Sequence, residues 1–129
     1  MNEQYISFKV AKLLKEKGFN IPLNTSYEVY LWQMYDENGE IHWGVYNSDW
    51  YFRITQQMAC SWLRKRGIHI MSTIGCDVDR TPRIFYGVVI ALFNDYGDID
   101  LRDPLDEKGY DSPEEAIEAV LEYVLKNLI

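Results

Sequence analysis

Cys60, Cys76, His42 and His69 are the residues of this 129-residue chain best suited to hold a metal or to attack a carbonyl. Thiolate and imidazole suit zinc, and structural zinc sites draw them from closely spaced pairs. Here neither cysteine belongs to a CxxC pair and the histidines are 27 residues apart, so the spacing predicts no metal centre. Cys60 would instead pack as a small apolar residue on a helix, and His69 would alternate on a strand between Ile68 and Ile70. A Cys–His nucleophilic pair would use the same residues, but nothing around Cys60 marks an activated thiolate and no third group orients the base.

The carboxylates fare no better. Asp77 and Asp79 share one loop, and Asp95, Asp98, Asp100 and Asp103 another. Read as a calcium loop from Asp98, the pattern fails at Arg102, where an acid or amide is needed, and again at Asp103, where glycine makes the turn. The chain has no glycine-rich phosphate loop and no nucleophile elbow. The residues therefore predict a non-enzymatic protein with no cofactor and no metal.

Binding chemistry is better represented. Between Tyr27 and Tyr46 two strand-like runs flank Asp36-Glu37-Asn38-Gly39, and Asn-Gly supplies the positive φ angles of a tight hairpin. Alternation places Tyr30, Trp32 and Met34 on one face, with His42 and Tyr46 assigned beside them from the second strand. With few helices to cover the sheet, this face is expected to be open and to bind a protein partner or a second copy. The alternative is a single-stranded nucleic acid, with Arg64, Lys65 and Arg66 on phosphates and the hairpin rings stacked on bases. Against it stand the net charge of −7 and the negative end of a helix dipole, which by itself favours three bases there.

One domain, residues 1–129, fits this length. No apolar run approaches the roughly 20 residues that span a bilayer, and the first residues lack the basic-then-apolar form of a signal peptide. Two cysteines are too few for a disulfide scaffold. A cytoplasmic protein is expected, with no membrane contact. Charge is uneven: residues 94–129 hold 11 acids and three bases, whereas residues 49–93 hold six bases and three acids. A solvated acidic loop at 94–111 accounts for much of this asymmetry.

The positioning elements follow from caps and periodicity. Ser7 to Lys17 reads as a helix stopped by Gly18, and Thr55 to Arg66 as a second stopped by Gly67. Strands are expected from Ile68 to about Thr73 and from Arg83 to Phe93, the latter apolar enough to be covered on both faces. Ser112-Pro113-Glu114-Glu115 then opens a third helix, whose Ile117, Val120, Leu121, Val124 and Leu128 share a face. The order α-ββ-α-ββ-α predicts an α+β fold: an antiparallel sheet of about four strands packed with three helices.

Three segments, ISFKVAKLLKEKGF, TQQMACSWLRKRGIHI and SPEEAIEAVLEYVLKNLI, together resemble a group of short uncharacterised proteins of bacteriophages and mobile elements of gut anaerobes. The resemblance covers about a third of the chain, all of it helix caps and helix cores. It implies a shared fold and an accessory role in a mobile element, and it transfers no catalytic residue.

Overall fold

The computed structural model describes residues 4–21, 32–77, 83–93, 99–102 and 110–129. Three helices carry the packing: α1 (Phe8–Glu16), α2 (Gln56–Arg64) and α3 (Pro113–Asn127). Each starts on a hydroxyl that accepts a backbone N–H three residues on, Ser7 from Val10, Thr55 from Met58 and Ser112 from Glu115. Gly18 and Gly67 follow α1 and α2 at φ of 95° and 82°, the left-handed conformation that ends a helix without a Cβ clash.

Six strands fall into two antiparallel sheets among the described residues. The first, in order β2-β1-β3, is built from β1 (Gln33–Tyr35), β2 (Ile41–Trp43) and β3 (Tyr51–Phe52). The second, in order β4-β5-β6, comprises β4 (Ile68–Asp77), β5 (Arg83–Phe93) and β6 (Ile99–Arg102). The fold is α+β, as the element order indicates, with the strands divided between two sheets rather than gathered in one.

Two differences from the sequence reading have local causes. Residues 47–53 contribute β3, which pairs Met34 with Phe52 and Tyr35 with Tyr51; a two-residue strand leaves no period to detect. The strand from Ile68 continues to Asp77, where it pairs with Arg83. Gly75, Cys76 and Asp77 look like loop residues, yet the apolar β5 supplies a ladder along their whole length. β5 is the central strand, as its composition predicts, with Ile90 and Ala91 both buried on its opposite faces.

α3 lies at the centre of the core. It packs on α1, α2 and β5, and Ala116, Val120, Leu121, Val124 and Leu125 are fully buried. One contiguous cluster joins these residues to Val10 and Leu14 of α1, Ala59 and Leu63 of α2, Met34 and Phe52 of the first sheet, and Ile68 and Ile90 of the second. Met58 and Trp62 of α2 lie only half-buried at its margin. Glu118 of α3 ties the helix starts together: Oε1 accepts the Ser7 N–H at 2.8 Å and Oε2 accepts from the buried Gln56 amide at 3.2 Å. Among the described residues no helix is long and apolar enough to cross a membrane.

Candidate interaction surface

The hairpin between β1 and β2 is closed by one carboxylate. Asp36 Oδ1 accepts the N–H groups of Asn38 and Glu40 at 2.8 and 3.0 Å, and the Gly39 N–H donates to the Asp36 carbonyl. Gly39 sits at φ 83°, and a Cβ there would come 3.0 Å from Phe8 Cδ2; only glycine meets both demands. Asp36 Oδ2 lies 2.8 Å from His42 Nε2. That bond, with the Glu40 and Asn38 N–H groups, holds the Asp36 carboxyl below the usual carboxylate range against the opposing effect of burial. The His42 ring stacks on Trp50 at 4.5 Å, and the Trp50 indole N–H donates to Glu37 at 2.9 Å. The turn is thus locked from both strands.

Register fixes which side chains share a face. Met34 lies opposite His42 and also opposite Phe52. Around Phe52 gather Trp32, Tyr46 and Phe19, with ring centroids 6.1 to 6.4 Å away. Of the binding residues expected from the sequence, the structure therefore brings Trp32, Met34, His42 and Tyr46 to one side, while Tyr30 lies outside the described residues. That side is closed at its centre. Met34 is 2% exposed, because β3 places β1 in the middle of the sheet and the rings of Phe52 and its neighbours close over it. Met34 is core, and the expectation that it contributes to a docking face is corrected.

The other side of β1 is covered as well. Tyr35 is buried, donates to the Ile6 carbonyl at 2.6 Å, and meets Phe8 edge-on. Arg53 lies over Tyr5 at 4.0 Å and also reaches the Gln33 side chain. This cover stops at β1. On the edge strand β2 and just beyond it Ile41, Trp43, Val45 and Tyr46 are 46, 65, 47 and 47% exposed. They are four of the six exposed large apolar side chains among the described residues, within six positions of one another. Sequence alternation assigns Ile41 and Trp43 to a common face but carries no sign of the strand order; among the described residues β3 takes the far side of β1 and β2 is the outer strand.

Among the described residues, no group of three potential ligands joins Cys60, His42 and His69. His69 and Cys76 occupy one strand, seven residues apart, which at about 3.3 Å per residue separates them by roughly 23 Å. Cys60 is half-buried on α2, and burial pushes its thiol pKa up, with Arg64 a smaller opposing influence; a raised pKa leaves less nucleophilic thiolate. Asp36, Glu40 and His42 do bring potential ligand atoms within 4.8 Å. Both oxygens of Asp36 are engaged by the hydrogen bonds that close the turn, which accounts for the cluster without an ion.

Arg64, Lys65 and Arg66 are exposed at the end of α2. Arg64 donates to Ser61 at 2.9 Å, and the Arg66 guanidinium lies 3.6 Å over the Trp62 ring, so two of the three cations already have local partners. A second basic region borders an open groove of about 660 Å³ lined by Lys9, Lys12, Lys15 and Lys126. Lys9 and Lys126 share Glu122, each at 2.7 Å, and Lys15 donates to the Ser48 and Trp50 carbonyls. Lys9 and Lys15 thus tie α1 to α3 and to the segment before β3. No family model, curated protein or solved structure matches the chain.

Proposed function

We propose that this protein is a small non-enzymatic interaction module, an accessory protein of a mobile element working in the cytoplasm, that binds a protein partner through the edge of its β1–β2 hairpin. The observation that supports this reading most strongly is the run of exposed Ile41, Trp43, Val45 and Tyr46 along β2 and just beyond it, next to a turn closed by Asp36 and His42. Scattered surface apolar residues need no explanation, whereas a run of them along one outer strand is the form of a protein-binding edge. Trp and Tyr are also the side chains that most often anchor such contacts. The non-enzymatic reading rests on the raised thiol of Cys60 and on the dispersal of the other candidate nucleophiles and ligands.

Nucleic-acid binding through Arg64, Lys65 and Arg66 is the weaker reading. The chain's net charge of −7 opposes a polyanion, and Arg64 and Arg66 are engaged locally. The test is affinity capture from a bacterial lysate with immobilised wild-type protein and Trp43→Ser side by side. Wild type should retain a protein, either a lysate component or added untagged copies of itself, that Trp43→Ser does not. Identical capture by both would overturn the proposal.

A further inference from the structure

We infer that the edge of β2 pairs with the β2 edge of a second copy of this chain, antiparallel and centred on His42, to make one continuous six-stranded sheet. The inference rests on the interaction reading above and names the occupant of the surface. Hydrogen bonds alternate along β2: the Asp36 N–H donates to the Glu40 carbonyl, and the Gly44 N–H donates to the Trp32 carbonyl. With Met34 opposite His42, positions 40, 42 and 44 turn their backbone groups toward β1. Ile41 and Trp43 therefore turn theirs outward, and among the described residues no strand takes them up. The residues whose backbone groups face outward are also those with the exposed side chains.

Three features favour a second copy over an unrelated strand. The edge is self-complementary: a two-fold axis at His42 sets Ile41 opposite Trp43 of the second copy and Trp43 opposite its Ile41. Both aliphatic residues then meet an aromatic one, and four backbone hydrogen bonds form. Glu40 would fall opposite Gly44, which has no side chain, and His42 opposite His42 of the second copy, each ring 2.8 Å from its own Asp36 carboxylate. The two-fold pairing uses up the β2 edge of both copies. On the other side of this sheet, just past β3, the Ile54 carbonyl already accepts the Ile6 N–H at 2.9 Å, so the chain beyond β3 is tied to the N-terminal segment whereas Ile41 and Trp43 on the β2 side have no such cover among the described residues.

Amide hydrogen exchange, resolved by residue on the full chain in dilute and concentrated solution, tests this. A dimer of the inferred register slows exchange at Ile41 and Trp43 by about tenfold or more on concentration, while His42, bonded to β1 in both states, changes little. Trp43→Lys places a charge on the edge without touching the β1 ladder; it should abolish the concentration dependence while circular dichroism reports an unchanged fold. Ile41→Pro, which deletes one outward N–H at a position where an edge strand tolerates proline, should do the same. Exchange at Ile41 and Trp43 that is independent of concentration overturns the inference, as does a dimer that leaves those amides unprotected. If self-pairing fails but wild type still captures another protein that Trp43→Ser does not, the interaction reading survives without it; if both fail, both are wrong.

Discussion

Met34 and His42 face each other directly across the hairpin, yet Met34 is 2% exposed and His42 remains half-open to solvent. Two residues on one face of one sheet are separated by depth, because among the described residues β1 lies between two strands and β2 is an outer strand. That difference decides which hairpin residues hold the fold together and which are free to bind.

Met34→Ala should cost about 2 to 5 kcal/mol, the range for truncating a buried methionine in a core that collapses only in part. Trp43→Ser, by contrast, should stay within about 1 kcal/mol, since an exposed ring contributes little to its own domain. Urea unfolding of both variants, compared through their midpoints, distinguishes them. Equal losses would mean that the edge strand is covered.

The turn should weaken in acid. The Asp36 carboxyl is held below its ordinary pKa of 3.8, chiefly by His42, so the unfolded chain takes up the proton before the folded one does. The stability that this carboxylate contributes is fully present above the unfolded value and is lost as pH falls through the folded one. Asp36→Asn keeps an acceptor for the turn but loses the charge facing His42. It should be less stable than wild type at neutral pH, with the two proteins converging below about pH 4. A constant gap across that window would assign the stabilisation to another group.

Glu118→Ala should destabilise by about 1 to 3 kcal/mol, because it removes the acceptor from the Ser7 N–H and from one donor of the buried Gln56 amide. Glu118→Gln keeps an acceptor oxygen and should recover part of the loss. Thermal unfolding of the pair measures this, and a neutral Glu118→Ala would show that water replaces the carboxylate at no cost.

Single-stranded oligonucleotides should not bind measurably even at low salt. Affinity in the micromolar range that falls steeply with salt, and that Arg64→Glu, Lys65→Glu and Arg66→Glu together remove, would favour the nucleic-acid reading instead. Fluorescence anisotropy across a salt series reads this directly.

The parts of the fold legible in the sequence are those set by local chemistry. Ser7, Thr55 and Ser112 cap their helices and Gly18 and Gly67 terminate two of them, each through backbone groups within a few residues. Asn38-Gly39 likewise announces the hairpin. What was not legible depends on residues distant in sequence. Whether Met34 or Trp43 is buried depends on which neighbour β1 gains from residues 51–52, and that strand is too short to leave a pattern. The extension of β4 to Asp77 depends on the partner that β5 supplies, which overrides the turn-like composition of Gly75 to Asp77. The face expected from alternation and the side chains that are exposed therefore overlap only in part: Tyr46 is exposed, Met34 is core, and Ile41, Trp43 and Val45 are the exposed residues that alternation does not single out.

Sedimentation velocity on wild type and Trp43→Ser, each over a range of concentrations and with circular dichroism on the same samples, tests the central claim that the hairpin edge is a binding surface rather than part of the core. Wild type should sediment faster as concentration rises, whereas Trp43→Ser should remain a folded monomer throughout. A Trp43→Ser variant that unfolds, or one that associates as wild type does, would contradict the account.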